Sequence, residues 1–101
     1  MVDLELHLLD LRYADLRMRD LDREARLAAE IARDDQRSPV LVVESGGRPV
    51  LVDGFARVAA VRKLGRDTVR AVVLSMGEAE ALVLRHRLAA VGRTSALEDG
   101  W

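Results

Sequence analysis

The stretch that most restricts what this chain can become is PVLVVE (39–44) followed by RPVLVD (48–53), with Ser45, Gly46 and Gly47 between them. Both runs are short and rich in β-branched residues. A glycine pair between two such runs is a hairpin signal, so the chain must build a sheet around this pair. The second run stops at Asp53, Gly54 follows, and a helix is expected over 55–64, with Gly65 as its C-terminal stop.

The other elements arrange themselves around that hairpin. VDLELHLLDL (2–11) reads as a short strand and a turn, with Leu4 and Leu6 on one face. DLDREARLAAEIARDD (20–35) reads as an amphipathic helix with Leu21, Ala25, Ala28 and Ala32 as its stripe and Asp20 or Asp22 as its N-cap. Pro39 ends the helical stretch before the hairpin. TVRAVVL (68–74) is a further strand. Ser75 and Glu78 form a capping-box pattern that opens a long helix to about Val91, ended by Gly92. The order strand, helix, two strands, helix, strand, helix predicts an α/β (α+β) fold with a small mixed sheet and packed helices. One domain is expected over 1–92. The second capping-box pattern, Ser95 with Glu98, reads as the start of a further helix over 93–101, leading into a C-terminal region not included here.

Composition narrows the chemistry. There is no cysteine, which excludes disulfides and thiolate catalysis, and the two histidines, His7 and His86, do not make a metal-binding pattern. No metal ligand and no catalytic residue is expected. The N-terminus is acidic where a signal peptide would be basic, and no apolar run approaches a membrane span, so a cytoplasmic protein without membrane contact is expected. Residues 1–35 carry ten acids and six bases while 36–101 carry ten bases and seven acids, so bulk charge does not call for nucleic acid.

Arg57 is the residue that invites a functional reading. It falls in the first turn of the helix after Gly54, where the backbone already contributes partial positive charge. Helical spacing places it on a face with Val58, Val61 and Leu64, opposite Arg62, Lys63 and Arg66. A guanidinium there needs a negative partner. In one reading Asp53 caps the helix, and Asp53 or another carboxylate pairs with Arg57. In the other a phosphate sits at the helix N-terminus against the free N–H groups, Gly54 and Arg57, with Asp53 suited to a metal–phosphate ligand. On the last helix His86 shares a face with Ala79, Leu82, Val83 and Ala90, and Ala81, Leu84 and Leu88 form a second apolar stripe. An apolar helix on two sides implies a second partner, either a second copy or a C-terminal domain docking on Leu84 and Leu88.

Across residues 4–99 the chain resembles the N-terminal domain of the ParB partition-protein family, which shares a fold with sulfiredoxin. The resemblance rests on Leu27-Ala28-x-x-Ile31, Pro39-Val40-Leu41-Val42, Gly54-Phe55-Ala56-Arg57-Val58-Ala59-Ala60 and Gly65-x-x-x-Val69-x-Ala71-x-Val73, in that order. It implies a site at Asp53, Gly54, Phe55, Ala56 and Arg57 for nucleotide or phosphate, CTP with Mg²⁺ in the partition proteins. Arg17 or Arg19 stands in for an upstream motif arginine, and His86 turns toward the cleft. Phe55, Ala56 and Ala59 replace a glutamate and two arginines of the family phrase, and the downstream Glu-Asn motif is absent near Arg87, Leu88 and Val91. Sulfiredoxin's cysteine is absent too. The resemblance therefore implies a regulatory, nucleotide-binding domain of a DNA-binding protein in segregation or transcription control, contacting DNA through the full-length protein. The alternatives are a nucleotide triphosphatase or nuclease on the same scaffold, and a protein–protein module with a vestigial pocket.

Overall fold

The computed structural model describes residues 1–16, 19–36 and 38–98. Its strands are β1 (Val2–Glu5), β2 (Val40–Ser45), β3 (Arg48–Asp53) and β4 (Thr68–Leu74), and its helices are α1 (Leu21–Asp34), α2 (Phe55–Lys63) and α3 (Glu78–Glu98). Short 3₁₀ turns cover Leu6–Leu8 and Ala14–Leu16.

The hairpin forms as its sequence dictates. Ser45 pairs with Arg48 and Val43 with Val50. The two intervening glycines have φ of 60° and 79°, the left-handed geometry a two-residue turn needs to match strand twist. β4 lies parallel to β2, Val40 opposite Ala71, and β1 lies antiparallel to β4, giving the mixed order β1-β4-β2-β3. The helix α2 makes the crossover that a parallel β2–β4 pair requires.

Alternation along the strands separates two cores. Val40, Val42, Leu51, Val69 and Ala71 pack against Ile31 of α1 and Phe55, Val58, Ala60 and Val61 of α2. Val43, Val50 and Val52 face the other way and cover Ala81 of α3. The α/β fold with a small mixed sheet is the one the sequence predicts.

After β1 the chain leaves one edge of the sheet and reaches the other. Leu6 N–H donates to the Asp67 carbonyl at 2.8 Å, and Leu6 and Leu9 join the core beneath α1 and α2. Asp10 then bridges to β3, its N–H donating to Pro49 O at 2.8 Å and its carbonyl accepting from Leu51 N–H at 3.0 Å. Arg12 ties this segment to α3, donating to Asp10 Oδ2 at 2.7 Å and to Glu78 Oε1 at 2.8 Å. The Arg12 hydrogen bond holds the Asp10 carboxyl below its ordinary range.

Three local features differ from the expectation. The buried side of α1 runs through Glu24, Leu27, Ala28 and Ile31, while Leu21, Ala25 and Ala32 are exposed. Spacing favoured the stripe without a charge, but the fully buried Glu24 accepts from Arg19 Nε at 2.9 Å and Nη2 at 3.1 Å, a two-pronged pair that permits its burial. Asp20 is the N-cap of α1, accepting from Arg23 N–H at 3.0 Å. The helix α3 begins at Glu78, not at Ser75: its first turn closes from Ala81 N–H to Gly77 O at 3.0 Å, and the Glu78 carboxylate is taken up by Arg12. It also continues through Gly92 to Glu98. A single glycine weakens a helix by only about 1 kcal/mol relative to alanine, which does not oblige it to stop.

Between α1 and β4 a buried side chain does the work of a strand. Gln36 Oε1 accepts from Arg70 N–H at 2.8 Å, and its amide donates to Arg70 O at 2.9 Å and Ser38 O at 2.8 Å. The neighbouring Asp35, at φ 65°, accepts from Gln36 N–H, Arg66 and Arg70, each at 2.8 Å. The Gln36 N–H and then Arg66 hold the Asp35 carboxyl below its ordinary range.

Candidate anion site at the start of α2

β3 delivers the chain into α2 through Gly54, which takes φ 101° and is the N-cap residue. Its missing side chain is accounted for by the sheet. A Cβ at this position would lie 2.6 Å from Val40 Cγ1, so β2 and the turn approach too closely for any other residue. A glycine cap has no side chain to accept from the first turn. No side-chain hydrogen bond closes α2, and the first N–H with an intrahelical partner is Val58, donating to Gly54 O at 3.0 Å. The N–H groups of Phe55, Ala56 and Arg57 form the uncapped positive end of the helix.

Phe55 is buried in the core, and Ala56, Arg57 and Ala59 are half-buried. The inward face of α2 is Phe55, Val58, Ala60 and Val61, so Arg57 stands at its margin, with Arg62 and Lys63 in solvent. None of the ion pairs or side-chain hydrogen bonds among the described residues involves Arg57. Asp53 neither caps α2 nor pairs with Arg57. Its Oδ1 lies 3.8 Å from Nε of Arg85 on α3. The Arg85 guanidinium carbon sits 5.6 Å from the centre of the Phe55 ring, within cation–π range. Arg85 and Asp53 thus lie beside Phe55 at the start of α2, whose first turn also carries Arg57 and three N–H groups without intrahelical partners.

The structure brings Asp53, Gly54, Phe55, Ala56 and Arg57 together by sequence contiguity. Arg19 is half of the pair with Glu24, which raises its pKa, and its side chain remains 61% exposed, so it retains open donors. Arg17 lies outside the described residues. His86 is exposed on α3 and not on that helix's buried face, which passes through Ala81. Arg85 is the residue that sequence reasoning missed. It lies four positions beyond the buried Ala81, and that spacing, which puts both on one helix face, is the signal that could have found it.

Among the described residues no three acidic or histidine side chains gather as a metal site, and no helix is long and apolar enough to cross a membrane.

No family model matches the chain, and no curated protein matches it in sequence. Solved structures do. Sulfiredoxin from Arabidopsis thaliana superposes with a TM-score of 0.71 at 26% identity, over 86% of this chain and 94% of that one. A C-terminally truncated chromosome-partitioning protein ParB from Caulobacter crescentus, complexed with CTP-γ-S, gives 0.68 at 24% identity over 82% of this chain and 48% of that one. The same ParB complexed to its centromeric parS site gives 0.61 at 23% identity over 81% and 43%. The chain spans about half the length, or less, of these ParB structures. It is a ParB/sulfiredoxin-fold domain, and its α+β architecture with a four-stranded mixed sheet is that of both groups.

Proposed function

We propose that this domain binds the phosphate chain of a nucleotide at the start of α2, as the regulatory part of a ParB-like protein in DNA segregation or transcription control. The observation that carries the reading is Arg57, a half-buried guanidinium in the first turn of a helix with no side-chain cap and no protein partner among the described residues. A cation placed against the positive end of a helix dipole is unfavourable unless an anion joins them. A phosphate would accept from the first-turn N–H groups and from Arg57 together.

The likeness to a ParB solved with CTP-γ-S supports a nucleoside triphosphate as ligand, and the parS complex supports DNA as the partner of the larger assembly. Asp53, at the end of β3, is an acid among the described residues that could meet a Mg²⁺ carried by the phosphates, and Arg85 already offsets its charge. This chain's contribution is to bind and orient the phosphates. A metal, when bound, would supply further neutralisation of their charge.

Calorimetry tests the reading. CTP with Mg²⁺ should bind saturably, and Arg57→Ala should weaken binding by more than about tenfold, the loss of one charge-assisted contact to phosphate. Absence of heat with any nucleoside triphosphate would refute nucleotide binding and favour a protein–protein module.

A further inference from the structure

Arg85 reaches the start of α2 from α3 with its hydrogen-bonding capacity unused. Its Nε lies 3.8 Å from Asp53 Oδ1, close enough for an ion pair and too long for a hydrogen bond. Its guanidinium carbon stands 5.6 Å from the centre of the Phe55 ring, beside the first residue of α2. The side chain is only 27% exposed, yet it donates no hydrogen bond among the described residues. A guanidinium carries several N–H donors in one plane, so Arg85 can serve an incoming anion without giving up a protein acceptor.

Asp53 poses the complementary problem. A phosphate at the start of α2 arrives beside a carboxylate, and the two anions repel. A divalent cation is one remedy, since Mg²⁺ takes oxygen ligands from carboxylate and phosphate together. This chain already holds another. Arg85 offsets the charge of Asp53, and the same guanidinium opposes the entry of a second cation at that carboxylate. The described residues also gather no three acidic or histidine side chains that could hold the metal by themselves. We propose that Arg85 takes the part of the metal. It neutralises Asp53 and donates to the phosphate chain, so this domain binds a nucleoside triphosphate as the free anion, with no requirement for a divalent cation. Arginine suits the role because its charge is permanent and its planar fork matches phosphate oxygens. The inference rests on the phosphate reading above and adds to it the metal dependence of the same site.

Calorimetry of the full chain with CTP, once in excess Mg²⁺ and once in a chelator, tests this. The parent should bind in both buffers, with affinities within about threefold of each other. Arg85→Met keeps an apolar stem over the Phe55 ring and removes the charge. It should bind about tenfold or more weakly in chelator, and Mg²⁺ should recover part of the loss, because the freed Asp53 now takes the metal. Adding Asp53→Asn to Arg85→Met removes the repulsion and should regain binding in chelator. A side chain that serves only the fold would lower both affinities together and leave their ratio as in the parent. A parent that binds CTP only with Mg²⁺ overturns the inference and leaves the phosphate reading standing. So does an Arg85→Met protein that keeps the parent's ratio, or a double variant no better than the single one. A parent that binds CTP in neither buffer overturns both.

Discussion

Asp53, the last residue of β3, and Arg85, one turn beyond the buried Ala81 on α3, approach to 3.8 Å between Oδ1 and Nε. The same guanidinium covers the ring of Phe55, the first residue of α2. One side chain on the last helix thereby touches the end of the strand and the start of the helix that frame the candidate anion site. Arg85→Ala is expected to lower stability by about 1 kcal/mol, combining a weak cation–π contact with a partly exposed ion pair. Urea denaturation measures this, and an unchanged midpoint would show that Arg85 contributes only to the electrostatics of the mouth.

Arg57 should behave in the opposite sense. It has no partner within the described residues and stands against the positive end of α2. Arg57→Ala is therefore expected to leave the ligand-free protein as stable as the parent, or more stable by up to about 1 kcal/mol. A clear loss in the thermal midpoint without ligand would mean that the side chain serves the fold.

Gly54 admits no substitute. A methyl group there meets Val40 Cγ1 at 2.6 Å, and φ of 101° is strained for any L-residue. Gly54→Ala should destabilise by about 2–4 kcal/mol, from overpacking and backbone strain together. A variant that melts with the parent would contradict the close approach of β2.

Gln36 satisfies both the N–H and the carbonyl of Arg70 from a buried position. Gln36→Leu keeps the volume and leaves those two backbone groups unpaired. A loss of about 2–3 kcal/mol is expected from chemical denaturation, the penalty for orphaned buried polar groups. Hydrogen exchange at the Arg70 amide should accelerate at the same time.

Acid dependence follows from Asp10 and Asp35. Hydrogen bonding to Arg12 lowers the first carboxyl in the folded state, and hydrogen bonding to the Gln36 N–H and then to Arg66 lowers the second. A group held low in the folded state adds stability above its unfolded pKa, and that stability is lost as pH falls through the folded value. Stability should therefore be flat from about pH 7 to 5 and decline below about pH 4, the ordinary aspartate range. Arg12→Gln and Arg66→Gln should each make that acid limb shallower, as followed by melting temperature against pH.

The sheet was legible because its signals are local. Gly46 and Gly47 between β-branched runs specify one turn, and alternation from Val40 to Val43 assigns each side chain to a face. The candidate anion site was half legible. Gly54 and Arg57 follow from a strand–helix junction, but the reason for the glycine, Val40, lies fourteen positions upstream in β2. Arg85 was hidden because a charged residue on a helix reads as solvated until the packing partner is known. Glu24 was hidden in the same way, since its burial depends on Arg19 reaching back from the preceding loop. In each case the missing information was a pairing between segments, which periodicity within one segment does not contain.

The path of the first residues has a consequence for how the domain tolerates shortening. β1 covers the free side of β4, and Asp10 covers the free side of β3. A single stretch of chain thus adds a strand beside β4 and bridges the outer side of β3 at one point. Deleting residues 2–10 would leave two rows of unsatisfied strand amides open at once, on opposite sides of one small sheet. Such a particle could recruit neighbours in two directions and grow into aggregates.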